Sequence, residues 1–506
     1  MENLKKYYIL HPLRSALFLG LLLRLIAVVF SKGFGMHDDH FLVIEVAQSW
    51  ADGTDYNNWL PGSGTTQPSG HSFFYCGLHY ILFSFLQTLG IFNPELKMLI
   101  VRLIHALLSL FTIWFGFKIT ARLSNVQAAG KAAMLLAVLW FMPFLSVRNL
   151  VEVVCIPFLA ASVWYAMDAP NRTNHLKWFL VAGLLGGLAF NIRFQSLFFI
   201  SGIGMSILLK MKWKECLYFG GGVLFSFGLI QGVVDFLIWG KPFVEFVAYI
   251  QYNIDNAYNY ITNPWYNYLL LIFGILIPPI SIFLFVFMFK NFRKQTVVVL
   301  PILIFLIFHS YFPNKQERFI IPIVPFIVMV GMAGMHSFFE NRPLNSSLRK
   351  FLYGSWIFFW VLNFTLLPFI TTMYSKKARV ESMIYLSKYK ENINYLLLED
   401  TNHGTPKMPP EFYLGKWVGC YELSKDQSLD TLKSKLLRYG KQNHPDFVLF
   451  FEDKNLVKRV ATVKSIFPGL KFETTISPGF IDDILFRLNP KNANQVIYIF
   501  RVNENS

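Results

Sequence analysis

Apolar runs close to the length of a membrane crossing recur from residue 8 to residue 373, separated by short polar breaks. Crossing hydrocarbon as a helix takes about 20 residues. The expected segments lie near 8 to 30, 71 to 92, 98 to 117, 129 to 147, 150 to 167, 176 to 192, 194 to 210, 217 to 239, 268 to 289, 296 to 312, 319 to 339 and 351 to 373. Phe, Leu and Ile fill these runs on all sides instead of along one stripe, as in membrane helices. Beyond Ser375 the pattern changes. Asn394 to Glu399, Asp446 to Glu452 and Gln495 to Val502 are short strand-like runs, with helical patterns over Asp430 to Arg438 and Leu456 to Ile466 between them. This predicts a polytopic α-helical membrane domain over 1–375, with about 11–12 apolar segments, and a small extracytoplasmic α/β domain over 376–506.

Composition agrees with a chain whose main solvent is the bilayer, being 54% hydrophobic and 17% aromatic. The net charge of +16 would suit a nucleic-acid binder only if it formed one basic face, and here the basic residues stand in clusters between apolar runs. Those clusters are Lys5-Lys6, Lys118/Arg122/Lys131, Arg172/Lys177, Lys210/Lys212/Lys214, Lys290/Arg293/Lys294 and Arg342/Arg349/Lys350. Placed in the cytoplasm by the positive-inside rule, they alternate correctly after residue 118 and put the C-terminal domain outside. Between the outside loop 31–70 and the inside stretch 118–131 two apolar segments remain where an odd number of crossings is needed. The segment 71–92, which carries His71 and His79, is expected to be juxtamembrane or re-entrant, with a failure of the charge rule at 118–131 as the competing account. The cysteines Cys76, Cys155, Cys216 and Cys420 are too scattered for a disulfide framework or a zinc site.

The outside loop, 31–70, is rich in Gly, Asp, Asn, Thr and Trp, and it opens on His37-Asp38-Asp39-His40. Adjacent carboxylates outside a membrane helix suit a general base and a neighbour that tunes or orients it; a solvated turn or helix cap is the alternative. A second constellation, Asn314-Lys315-Gln316-Glu317-Arg318-Phe319 followed by Pro322 and Pro325, sets a lysine and an arginine beside hydrocarbon. Such a pair suits a lipid phosphate, or simply snorkels at a helix end. Arg102, Arg148, Glu152, Arg193 and Asp235 lie in or beside apolar segments, where ionisable groups face partners or cavities. Arg148 and Glu152 are four apart and would share one helix face. The stretch Trp239 to Tyr268, with Asn263-Pro264-Trp265 and Tyr268, has the aromatic and amide content of a sugar-binding or interfacial loop.

Together these motifs resemble the polyprenol-phosphate-mannose-dependent mannosyltransferases of GPI-anchor and asparagine-linked glycan assembly. The family's acidic first-loop motif is similar to His37-Asp38-Asp39-His40-Phe41 with Glu45, and its Lys-x-Glu-Arg-Phe-x-x-Pro-x-x-Pro signature to Lys315 through Pro325. Fainter similarities are Arg102, Arg148 with Glu152, Arg193, Asp235 with Trp239-Gly240, and Pro264-Trp265 with Tyr268. The motif's Pro is missing, its Glu is Asp39, and Asn314 stands where a His is usual.

The resemblance implies the C-type glycosyltransferase fold and inverting transfer of a sugar, with mannose expected, from a polyprenyl-phosphate donor to a hydroxyl of a glycan or glycolipid. On this basis Asp38 is the base with Asp39 its neighbour, and Lys315, Arg318 and Arg193 bind the donor phosphate. His37, His40, Glu45, Trp265 and Tyr268 contact acceptor or sugar, while Arg102, Arg148, Glu152, Asp235 and Glu317 support the site. No metal or cofactor and no nucleic acid is implied. The membrane would be the bacterial inner membrane or the endoplasmic reticulum, with the site on the noncytoplasmic face. A lipid-linked-saccharide transporter or flippase, or another C-type enzyme with a different sugar or a protein acceptor, is the competing class.

Overall fold

The computed structural model describes residues 2–62, 68–290, 292–340, 346–402, 408–427, 429–439, 443–489 and 494–503. Residues 63–67 of the outside loop and Arg342 of the basic clusters lie outside the described residues. Among those described, seven helices are long and apolar enough to cross a membrane: Pro12–Phe30, Pro94–Leu123, Val151–Asn171, His175–Ile192, Trp213–Trp239, Glu317–Phe339 and Ser347–Thr371. Three shorter apolar helices, Val126–Val138, Phe194–Leu208 and Gln295–Tyr311, match the segments expected near 129 to 147, 194 to 210 and 296 to 312. The segment expected near 268 to 289 is a pair, Asn267–Ile275 and Ile280–Phe287, bent by 117°. Its break falls at Ile277-Pro278-Pro279, where proline removes a backbone donor and biases the preceding residue away from helix. Phe73–Thr88, in the segment expected not to cross, is a helix of 16 residues.

The chain divides into two compact units. The first comprises Met1–Val29, Asn57–His79 and Ile100–Thr372. Within it, the short helix Val126–Val138 ends inside the bundle, where orphan C-terminal carbonyls cannot turn to water. Arg24, fully buried, donates to Ala137 O at 3.4 Å and Leu136 O at 3.5 Å, and Asn363 donates to Val138 O at 3.0 Å. The cation also suits the negative end of the helix dipole.

The second unit comprises Phe30–Tyr56, Tyr80–Leu99 and Met373–Ser506. Its sheet has five strands, β1 (Tyr395–Asp400), β2 (Gly419–Ser424), β3 (Phe447–Phe451), β4 (Leu470–Ile476) and β5 (Ile497–Val502), in the order β2-β1-β3-β5-β4. β1 pairs parallel with β2 and β3, and β5 pairs antiparallel with β3 and β4. Helices Leu429–Tyr439 and Leu456–Lys464 pack Leu432, Leu436 and Val463 against Leu397, Val448 and Phe450 of the sheet. The acidic segment joins this unit through a bridge between Gly33 and Ser375. Gly33 has φ of +74°, and a Cβ there would stand 1.8 Å from Ser375 O, so only glycine permits the contact.

Candidate active site

In the first unit the Lys315–Phe319 segment is fixed before any ligand is considered. Lys315 N donates to Ile261 O at 3.0 Å, Asn314 bridges Thr262, and buried Tyr268 donates its hydroxyl to Gln316 O at 3.1 Å. Pro325 then sits in the first turn of helix Val324–Phe339, where a missing N–H costs nothing. This geometry buries the lysine and arginine of the signature. Lys315 Nζ donates to Phe312 O at 2.5 Å, and Arg318 Nε donates to Gln316 Oε1 at 2.9 Å.

Two arginines from distant parts of the chain share one carboxylate. Glu152 Oε1 lies 3.3 Å from Arg193 Nη1 and 3.7 Å from Arg318 Nε, with all three side chains buried. Arg193 also donates to Gln195 Oε1 at 2.5 Å and to Phe319 O at 3.3 Å. Arg193 and Arg318 thus set two cations against the one carboxylate of Glu152, with Lys315 buried three residues before Arg318, an excess that favours an anion. Several buried polar atoms close by in the sequence motifs, Arg193 Nε, Glu152 Oε2 and Asn314 Oδ1, have no hydrogen-bond partner among the described residues. Buried groups of that kind usually meet a partner. A phosphate would take the donors.

Glu152 corrects the expectation that it shares a helix face with Arg148. The chain is not helical between Leu145 and Val151, so the pair is not carried on one helical turn. Arg148 instead packs its guanidinium 4.3 Å from the Phe144 ring centroid. Glu317 is exposed, and Trp265 is 65% exposed, unlike Tyr268, which is fully buried. Arg102 Nε donates to Val28 O at 2.8 Å. Asp235 accepts from Gln231 at 2.7 Å and from Glu245 N at 3.1 Å, joining the two ends of the Trp239-Gly240 turn.

Glu245 is a residue that sequence reasoning missed. Its carboxylate accepts from Gly70 N at 2.7 Å, Ser69 N at 3.3 Å, His71 N at 3.2 Å and Trp239 Nε1 at 3.0 Å, so it pins the end of the outside loop. Burial raises this carboxyl to about 7. Glu245 is one of only two acids in the aromatic stretch Trp239 to Tyr268, with Asp255, and that was the available signal.

In the second unit the two adjacent aspartates have different fates. His37–Phe41 forms one short helical turn, and Asp39 accepts from Gly35 N at 2.9 Å and Met36 N at 3.0 Å, using both oxygens to cap it. Asp38 stays half-buried at the surface of the turn. Exposed His37 stacks on Phe41 at 4.6 Å. His40 and Glu45 are interior residues, not surface groups: His40 stacks on Phe34 at 4.8 Å and Tyr413 at 5.4 Å, and Glu45 accepts from Phe412 N at 3.2 Å.

Glu411 accepts from Val418 N at 2.9 Å, so two buried carboxyls hold the 411–418 turn from inside. Burial pushes both Glu45 and Glu411 up to about 8, and lowers His40 to about 3. His40 Nε2 and Glu45 Oε1 are 3.3 Å apart, but with both groups neutral near pH 7 this is not an ion pair. Arg379, buried against Phe34 and Phe41 at 5.2 and 5.5 Å, supplies the local cation.

These shifts fix a pH dependence. A carboxyl that holds its proton longer when folded loses stability as pH rises from the unfolded value toward the folded one. A histidine kept neutral loses stability as pH falls below its ordinary value of 6.5. Above 6.5 the carboxyl effect acts without the histidine's opposition, so thermal stability should fall between pH 6.5 and 8, and Glu45→Gln should flatten that fall. Melting curves across this range with identical slopes in both proteins would contradict it.

The sequence pattern of the Alg9-like mannosyltransferase family matches residues 15–407, most of the chain. The chain belongs to the Alg9-like mannosyltransferase family. Alpha-1,2-mannosyltransferase ALG9 of Mus musculus is 27% identical over 144 residues, covering 25% of this chain and 23% of the mouse protein. The Homo sapiens ALG9 is 24% identical over 147 residues, covering 26% and 24%. The match thus spans about a quarter of the length of these relatives. Among solved structures, ArnT from Cupriavidus metallidurans bound to undecaprenyl phosphate superposes with a TM-score of 0.58 at 12% identity, covering 96% of this chain and 97% of ArnT. Archaeoglobus fulgidus AglB in complex with an inhibitory peptide and a dolichol-phosphate gives 0.50 at 11% identity, covering 94% and 74%. Likeness at these identities concerns fold, and it is the C-type glycosyltransferase fold that this family member adopts.

Proposed function

We propose that this member of the Alg9-like family is an integral-membrane glycosyltransferase that moves a sugar, with mannose the expected one, from a polyprenyl phosphate to a hydroxyl of a glycan or glycolipid acceptor. The observation that carries the reading is the buried pair Arg193 and Arg318 on Glu152, with buried Lys315 three residues before Arg318 and the long apolar helix Glu317–Phe339 running on from the same signature. A phosphate monoester bearing a hydrophobic tail satisfies both features at once. The polyprenyl phosphate in ArnT and the dolichol-phosphate in AglB are ligands of that chemical class on the same fold.

In the reaction the acceptor oxygen attacks the anomeric carbon while Asp38 takes the hydroxyl proton. The bond from that carbon to the phosphate oxygen breaks, the electron pair leaves with the phosphate, and the configuration inverts. Lys315, Arg318 and Arg193 stabilise the charge on the leaving phosphate. No metal is assigned to the step, because a phosphate monoester leaves without a diphosphate to neutralise. Asp39 keeps the turn that carries Asp38 in shape.

The positive-inside rule supports a noncytoplasmic site. Counting the seven long helices, the bent pair as one crossing and the three shorter helices, with Phe73–Thr88 left out, each basic cluster returns to the cytoplasm. Single cysteines at Asn58 and Glu317, in a variant lacking the native cysteines, should react with an impermeant reagent from outside, and one at Lys214 should not. Labelling of Asn58 and Glu317 from opposite faces would break the proposal.

A further inference from the structure

The second unit contains a cavity of about 380 Å³ to which the chemistry above assigns no role. That size falls within the ~300–1,000 Å³ typical of small-molecule sites. Its lining mixes polar and apolar side chains, and the polar ones are already ordered. Asp52 Oδ1 accepts from Gln48 Nε2 and from Gln87 Nε2, each at 2.8 Å, and Asp52 Oδ2 accepts from Trp417 Nε1 at 3.0 Å. Buried Lys97 donates to Gln48 Oε1 at 2.8 Å, so the amide that faces Asp52 is held in one orientation.

Trp417 is set by the same turn that Glu45 and Glu411 hold from inside through Phe412 N and Val418 N. Its ring lies 5.1 Å from Tyr56 and remains half-buried, which fixes an aromatic face beside the polar network. Acids and lysines both line the cavity, including Asp52, Glu95, Lys97 and Lys390, so neither charge sign dominates. An anion such as a phosphate or nucleotide finds no cationic excess there. A lipid tail would have to lie against the charged groups Asp52, Glu95, Lys97 and Lys390 as well as the apolar side chains.

A neutral, hydroxyl-rich pyranose fits all of these features. Carboxylate and amide groups exchange hydrogen bonds with vicinal hydroxyls, and the apolar face of the ring packs on indole. We propose that this cavity is a carbohydrate-binding subsite that holds sugar residues of the acceptor glycan. Naming the ligand as the acceptor rests on the glycosyltransferase reading; sugar binding itself does not.

The test uses the full-length protein in lipid nanodiscs, without donor, and a lipid-free α-linked mannotriose as the probe, followed by ligand-observed NMR. Saturable binding is expected. Trp417→Ala should weaken it by about fivefold to tenfold, the loss of one aromatic contact. Trp417→Phe keeps a ring without the indole N–H and should retain most of the binding, and Gln87→Ala should weaken it too, which keeps the test open if Trp417→Ala misfolds. Absence of saturable binding, or equal binding in wild type, Trp417→Ala and Gln87→Ala, would overturn the proposal even if sugar transfer is observed. Binding that is lost in these variants upholds the subsite even if no polyprenyl-phosphate sugar serves as donor, in which case the transferase reading alone fails.

Discussion

Asp38→Asn is expected to fold normally and to lower sugar transfer by about 10² to 10⁴-fold, the usual contribution of a general base. Asparagine has nearly the volume of aspartate, and Asp38 is half-buried at the surface of its turn, so the change removes a proton acceptor without opening a cavity. The neighbouring variant should behave differently. Asp39 is buried and takes two backbone N–H groups with its carboxylate, so Asp39→Asn replaces one acceptor oxygen by a donor and should lower stability as well as activity. Full activity in purified Asp38→Asn protein would remove Asp38 from the chemistry.

The second large effect is expected where Arg193 and Arg318 meet Glu152. Arg318→Ala removes one of two guanidiniums beside Glu152 and should slow transfer about 10 to 150-fold, from the roughly 1.5–3 kcal/mol of a hydrogen bond to a charged group. Lys315→Ala should act in the same direction and show itself in donor kinetics. The competing account, a lysine snorkelling to the end of helix Phe292–Tyr311, has an observation behind it, since Lys315 Nζ does bond Phe312 O. Arg318→Lys separates the two, because it keeps the charge and loses the planar fork. Unchanged donor kinetics in both alanine variants, with only a lower melting temperature, would favour snorkelling.

What the sequence revealed follows from which physical signals are local. Apolar length is local, and each expected membrane segment has its helix, including the bent pair at Pro278-Pro279. In the sheet, β1, β3 and β5 were legible because they are its interior strands and read as apolar runs. β2 and β4 are the two edges, and sequences such as Leu470–Ile476, with exposed Lys471 and Phe472, carry no such run. The signature Lys315 and Arg318 could be read from spacing, whereas the carboxylate that Arg318 shares with Arg193 required the fold. Arg148 and Glu152 misled because spacing of four implies a shared face only where the backbone is helical. Glu45 and Glu411 are far apart in the chain, and nothing in either segment announces that both carboxyls hold one turn.

The most direct measurement is sugar transfer by the purified protein in lipid, offered a panel of polyprenyl-phosphate sugars and, separately, nucleotide sugars, with the acceptor product analysed by mass. Transfer of one hexose from polyprenyl-phosphate mannose, abolished or nearly so by Asp38→Asn, is the predicted result. No transfer from any polyprenyl-phosphate sugar, or transfer only from a nucleotide sugar, would contradict it.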